Sequence, residues 1–399
     1  MRGLPVQHLF RWDLSAGGFL GKSDNVVFRI EVDLGGANTF QFATLSTQSL
    51  PFRLADMQVR VVDDKSKPLS GAKVYRLKSG QSTDAQPISG VEGPFYTTSP
   101  GYLNGNSELG IGDRLLAVHP VQSSGQYTLY HTSFDAQAPE ASLYEITAGG
   151  VQTLTVSADN PLLLFDLTVS LEWNAADDTI FLAQLEQNLK DAAQTLYDWS
   201  NGQIALGKIT VYQAKEKWDE ADIQVLASNQ VRPNAFRGGI VTDTVTLDLG
   251  EPVTALPGRI RIGSIWNRYG TLETIPGDWA KVLAHEIAHY ALFLEDTYLG
   301  IDEASNVLVP VESCVGSALT DPYRDDYSEF RYADGAWDAE CGMTLAALPE
   351  WEILTRVYPD LQPPPPAVTG PANLPFAFAQ IEIVPPTAEP PLADVSVQI

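Results

Sequence analysis

Over the first 157 positions the apolar residues come in short runs with a period of two, broken by glycine, proline, serine and aspartate. Runs at 26–32, 40–43, 57–62 and 73–77 predict strands, with turns at Gly35-Gly36 and at Lys67 to Ala72. The turn spacing predicts a β-rich segment over 1–56 and a β-sandwich over 57–159. After Asn160 the pattern changes. A strand over 161–171 is followed by a helical stripe at Phe181, Leu185, Leu189, Ala193 and Leu196, which Asn201-Gly202 closes. Further strands are predicted at 208–212, 223–226 and 259–265. Pro276-Gly277 then breaks the chain, Asp278 offers an N-cap, and Val282, Leu283, Ile287 and Leu294 supply the apolar side of a second helix. This order predicts an α+β domain over 160–361, with the second helix beneath a twisted sheet whose lower strand walls a cleft. Beyond it, over 362–399, four consecutive prolines form a stiff linker. The strand-like runs 380–384 and 395–397 are too few for a domain; they either pair with the N-terminal strands or open a further module.

The second helix carries the chemistry. His285, Glu286 and His289 form an H-E-x-x-H pattern. On a helix the two imidazoles lie one turn apart on one face, and Glu286 is rotated from them by about 100°. A polar stripe on an exposed helix would satisfy the same spacing. However, Leu283-Ala284 and Ile287-Ala288 are apolar, and such a cluster is costly to bury without a cation to pair with it. These residues point to a divalent metal held by His285 and His289, with Glu286 beside it.

Composition narrows the rest. The 399 residues carry 50 acidic against 25 basic side chains, a net charge of −25, which repels phosphate backbones and anionic lipid and excludes nucleic acid as a partner. No apolar run is long enough to predict a membrane span, and the first residues lack the apolar core of a signal peptide. Cys314 and Cys341, 27 positions apart, are either a disulfide closing an irregular loop or two separate buried thiols. An extracellular or cell-surface setting is expected. Between Thr320 and Cys341 stand Asp321, Asp325, Asp326, Glu329, Asp334, Asp338 and Glu340. Their spacing does not fit an EF-hand; they form either a solvated acidic loop or a site for Ca²⁺. His119 and His131 fall in strand-like sequence and are read as ordinary packed histidines.

Two resemblances follow from these residues. The run Val59-Arg60-Val61-Val62-Asp63, then Pro68-Leu69-Ser70-Gly71-Ala72-Lys73-Val74, with Gly101-Tyr102-Leu103 and Gly112-Asp113-Arg114-Leu115, resembles the carboxypeptidase regulatory-like β-sandwich family. That implies an Ig-like accessory module. The segment 160–361 resembles the zincin (metzincin-like) metallopeptidases, and most closely the N-terminal catalytic domain of calcium-activated chloride channel regulator proteins and their bacterial relatives. That family's helix reads H-E-x-x-H-x-x-x-G-x-x-D-E-Y. Here His285, Glu286 and His289 match, Asp296 stands where the acidic third ligand stands, and Tyr298 matches the last tyrosine. Phe293 replaces the glycine and Thr297 the second acid. Cys314-Val315-Gly316-Ser317-Ala318-Leu319 resembles the family's Cys-x-Gly-Ser-x-Met turn, with Leu319 for methionine and Met343 as a rival.

The missing glycine makes the third ligand a geometric question. A straight helix would carry Asp296 about 10 Å along the axis from His289, out of reach of a metal. The chain must turn back between Tyr290 and Glu295, and a left-handed residue at Leu292 or Phe293 costs about 1–2 kcal/mol. Asp296 is the first candidate; Glu295, Glu303, Glu312, Asp325, Asp326 and Glu329 are the others. The expected function is a zinc-dependent endopeptidase acting on a protein or peptide substrate, with Zn²⁺ on His285, His289 and Asp296, Glu286 as general base and Tyr323 near the oxyanion. The competing expectations are a non-catalytic adhesion or binding protein on the same scaffold, and a gluzincin-type peptidase with a downstream glutamate ligand.

Overall fold

The computed structural model describes residues 22–33, 44–55, 57–81, 90–103, 109–135, 143–268, 275–302, 305–311, 314–323, 328–332, 337, 340–346, 348–364 and 378–387. The chain is β-rich and divides into two compact units. The first comprises Met1–Gln81, Gly90–His119 and Leu143–Val156, the second Ser82–Ser89, Pro120–Ser142 and Ser157–Ile399.

In the first unit the expected strand 26–32 is split: Lys22–Val26 pairs with Phe52–Ala55, and Arg29–Asp33 with Thr44–Gln48, both antiparallel. The expected strand 40–43 lies outside the described residues. Two ladders follow. In one, Gln58–Asp63 runs parallel to residues 151–156. In the other, Lys73–Leu77 lies between Glu92–Thr98 and the start of Arg114–Ser123, antiparallel to both. Alternate side chains from both ladders, among them Val59, Val61, Val74, Leu115, Ala117, Leu154 and Val156, meet in one buried cluster. Period-two sequence therefore buries one face of each ladder against the other.

The second unit is built on a mixed sheet. Its strands are β1 (Tyr127–Thr132), β2 (Val151–Leu171, from Ser157 onward in this unit), β3 (Ile204–Tyr212), β4 (Ile223–Leu226), β5 (Asn234–Ala235), β6 (Ile260–Gly263) and β7 (Gln380–Ile383). β2, β3, β4, β6 and β7 pair in parallel, while β1 and the short edge strand β5 are antiparallel to their neighbours. β1 belongs to this unit, although its sequence falls in the stretch expected to complete the sandwich. β7 adds to β3, and so pairs neither with the N-terminal strands nor as part of a separate module; residues 395–397 lie outside the described residues.

Helix α1 (Thr179–Trp199) begins where the Asp178 carboxylate accepts the Phe181 N–H at 3.0 Å. It buries Leu185, Leu189 and Leu196 completely. Helix α2 (Gly277–Leu292) starts at Pro276, so Asp278 is not its N-cap. Asp278 sits in the first turn, where its charge suits the helix dipole, and pairs with Arg268 Nε at 3.1 Å. Trp279 anchors α2 to the sheet: it is fully buried and its indole N–H donates to the Gly263 carbonyl at 2.9 Å. A third helix, α3 (Glu350–Val357), was not expected from the sequence; the Tyr358 hydroxyl at its end donates to Ala291 O of α2 at 2.7 Å. Among the described residues no helix is long and apolar enough to cross a membrane. Cys314 and Cys341 form a disulfide, buried with Trp337.

Candidate metal centre

The site begins with the end of α2. Phe293 takes the left-handed conformation, φ 63° and ψ 18°, and its N–H and that of Leu294 both reach the Ala288 carbonyl. This is the turn a glycine would make without strain, here made by a phenylalanine at about 1–2 kcal/mol. Residues 236–240 hold it in place. Gly238 N–H donates to His289 O at 2.9 Å and Ile240 N–H to Tyr290 O at 3.2 Å, so the last carbonyls of α2 are satisfied. Arg237 donates from Nε to Phe293 O at 2.7 Å and pairs with Glu295. Leu294, expected on the helix, lies past its end and is fully buried.

The reversal brings Asp296 back over the helix. His285 Nε2 and His289 Nε2 are 3.1 Å apart, and Asp296 Oδ1 lies 3.2 Å from the first and 3.1 Å from the second. Tetrahedral ligands at about 2 Å from one ion stand about 3.3 Å apart, so the triangle has the size a small divalent cation demands. The proton positions agree. Nδ1 of His285 faces the Ala318 carbonyl at 3.3 Å, and Nδ1 of His289 faces the Leu294 carbonyl at 2.8 Å. With the proton on each Nδ1, both Nε2 atoms present lone pairs to each other and to a carboxylate oxygen. Asp296 Oδ1 is itself buried with no hydrogen-bond donor. Three electron-rich atoms converging in a buried place need a cation between them. The three residues form a group that can hold a metal ion.

Electrostatics set the neighbours. Burial raises the Glu286 carboxyl above the usual range, and the two histidines offset only part of that rise. Burial opposes ionisation of Asp296, but the two imidazoles beside it, His285 and His289, outweigh burial and hold its carboxyl far below the usual range. Burial would lower His289, but Asp296 and Glu286 outweigh it and raise it. Tyr298 is pushed up to about 12, by burial first and then by the negative charge of Asp296 nearby.

A cleft of about 660 Å³ opens over the group, and Glu286 lies in its wall. The edge strand β5 and Arg232-Pro233 form one side, Trp266 to Arg268 another, and Thr320, Pro322 and Tyr323 a third. Tyr323, with Arg268 stacked 3.8 Å over its ring, lines the cleft.

The other acids are placed elsewhere. Glu295 is spent on Arg237. Glu329 sits by Asp198 and Asn201, where burial raises its carboxyl to about 9. Glu303, Glu312, Asp325 and Asp326 lie outside the described residues, as do Asp334 and Asp338 of the acidic loop. Among the described residues no second cluster that could hold an ion such as Ca²⁺ is gathered. Leu319 is fully buried in the turn that presents the Ala318 carbonyl to His285, while Met343 is 77% exposed and cannot underlie the site.

A network that sequence reasoning missed braces this turn. Glu350, at the start of α3, is fully buried, accepts from Ser317 Oγ and takes the Arg331 N–H at 3.2 Å. Ser317 Oγ and Thr320 Oγ1 meet Thr297 Oγ1 at 2.8 and 2.7 Å, next to Asp296. Pro349-Glu350 reads as an ordinary helix start, and nothing local marks the glutamate as buried. Arg232 and Gly238 also carried no local signal.

No family model matches the chain, and no curated protein matches it. Among solved structures, the Bacillus anthracis TIE protein aligns with 39% of this chain and 29% of its own length, at 11% identity and a TM-score of 0.14. That overlap is too slight to bear on fold or chemistry. What the residues themselves establish is a β-rich chain of two units, one of which carries a His-His-Asp group able to hold a metal ion.

Proposed function

We propose that this chain is a zinc-dependent endopeptidase whose second unit is a zincin domain. The observation that carries the reading is the His285, His289 and Asp296 triangle set beside Glu286 on an open cleft. Two neutral imidazoles and one carboxylate suit zinc, and three protein ligands leave a fourth position free, as catalytic sites require. Bound there, zinc would lower the pKa of a water towards 7 and polarise a carbonyl.

The chain's own residues do the rest. Glu286, with its affinity for a proton raised by burial, takes one from the attacking water onto a carboxylate oxygen and delivers it to the leaving amine. Asp296 and the two Nδ1 contacts to backbone carbonyls keep the imidazoles in one tautomer and one orientation. Tyr298 and Tyr323, both held protonated by burial, offer O–H donors to a developing oxyanion. The short edge strand β5 lies on the cleft wall, where its outer side could receive an extended peptide.

A Glu286 carboxylate in the cleft with no hydrogen-bond or ion-pair partner among the described residues has no use in a purely structural zinc site, which disfavours the adhesion scaffold. The position of Asp296 disfavours a glutamate third ligand. The first unit is then an accessory β-module, and the disulfide suits an oxidising, extracellular setting. The test is elemental analysis of purified protein together with casein hydrolysis. One zinc per chain and cleavage abolished by a chelator are expected; stoichiometric zinc with no turnover on any peptide would leave a scaffold instead.

A further inference from the structure

Two arginines face the cleft, and they differ in one respect. Arg268 is neutralised: its Nε lies 3.1 Å from Asp278, and its guanidinium is stacked on Tyr323. Arg232 is exposed and its guanidinium has no carboxylate partner or hydrogen bond among the described residues. Its root is nevertheless fixed. Pro233 restricts Arg232 to extended backbone, and Asn234 Nδ2 donates to the Arg232 carbonyl at 2.9 Å. Its charge reaches the site, acting on both Glu286 and Tyr298.

Resting on the peptidase proposed above, we infer that Arg232 makes the cleft select peptides that present a carboxylate beside the scissile bond. Of the acids lining the cleft, Asp296 and Glu286 would balance a divalent ion, and Arg268 is paired with Asp278 behind it. Arg232 is the surplus. With a divalent ion bound the cleft would be locally positive in a chain of net charge −25, and an anionic group would be drawn there against a repulsive remainder. A guanidinium also binds a carboxylate with two parallel hydrogen bonds, which a rigid backbone root helps to aim. The carboxylate can come from an aspartate or glutamate side chain or from the peptide's own C-terminus.

The experiment uses the full chain loaded with zinc and three peptide series of otherwise equal sequence. One varies Asp, Glu, Asn, Gln and Lys around the scissile bond; the others place a free or an amidated C-terminus near it. We expect kcat/KM to favour carboxylate over amide by about 10- to 100-fold. R232A should lose most of that ratio while neutral peptides fall less than threefold, and R232E should turn the preference towards Lys. Which series shows the preference identifies the source of the carboxylate. Equilibrium binding of the same peptides to zinc-loaded E286Q by fluorescence anisotropy should follow the same order. Turnover without a carboxylate preference, or an equal loss on acidic and neutral peptides in R232A, overturns the inference and leaves the peptidase standing. No turnover and no peptide binding overturns both.

Discussion

The ring of Phe293 fills the space that a side chain at Gly238 would occupy. A Cβ at Gly238 would fall within the contact radius of two Phe293 ring carbons and 2.9 Å from Ala255 Cβ, and Gly238 itself has φ +64°. The glycine absent from the end of α2 is therefore matched by a glycine across the contact. The left-handed turn that returns Asp296 to the histidines rests on both residues.

Gly238→Ala should destabilise the fold by about 2 kcal/mol or more, from overpacking and backbone strain together, and should weaken zinc binding by displacing the turn. Phe293→Gly would relieve about 1–2 kcal/mol of strain but give up a buried ring, at a cost of about 3–5 kcal/mol. The net is a loss of about 2 kcal/mol. Denaturant unfolding and zinc titration measure both variants; a stabilised Phe293→Gly would show that the ring does not support the turn.

Glu286→Gln should keep fold and zinc while lowering kcat by at least about 100-fold, since the amide cannot accept the proton. Elemental analysis beside a peptide assay decides it. A Gln variant with near-normal turnover removes Glu286 from the role of base.

Much of the second unit was legible because its signals are local. The stripe through Leu185, Leu189 and Leu196, the runs at 208–212 and 223–226, and the spacing of His285 and His289 follow from short-range periodicity, although the first of those strands begins four residues earlier, at Ile204. Phe293 shows what such reasoning can do beyond that: once the family resemblance offers Asp296 as a ligand, helix geometry asks for a left-handed residue at Leu292 or Phe293. Glu350, Gly238 and Arg232 were not legible. Each owes its role to a partner 33 or more positions away in sequence, as with Glu350 and Ser317. Likewise β7 finds its partner β3 across more than 150 residues, and β1 pairs with β2 through a register that composition does not encode.

Stability should depend on pH through Glu350. Burial raises its carboxyl to about 7 in the folded chain, against an ordinary value of 4.5. The folded chain keeps a proton that the unfolded chain releases between those values, so its contribution is complete below about 4.5 and is lost as pH rises to about 7. Glu350→Gln removes this titration. Relative to the parent, the variant should gain about 2 kcal/mol between pH 5 and pH 7.5, read from denaturant midpoints. A constant difference across that range would place the ionised form in the folded state throughout.

The disulfide closes a loop that contains the Ala318 carbonyl and the Thr320 to Tyr323 wall of the cleft. Replacing both cysteines by serine should cost about 3 kcal/mol in the chain-entropy account and loosen the support of His285, raising the zinc dissociation constant. Thermal unfolding and competition with a zinc chelator test this; unaltered zinc affinity would show that the turn holds without its tether.

The pairing of Gln380–Ile383 with Lys208–Val211 bears on how the protein is handled. Shortened versions cut at the proline run would strip the outer strand from a parallel sheet and leave Lys208 to Val211 with open backbone donors and acceptors. Such an edge recruits strands from other molecules, so the trimmed protein should self-associate, and the strand Gln380–Ile383 acts as a guard against polymerisation.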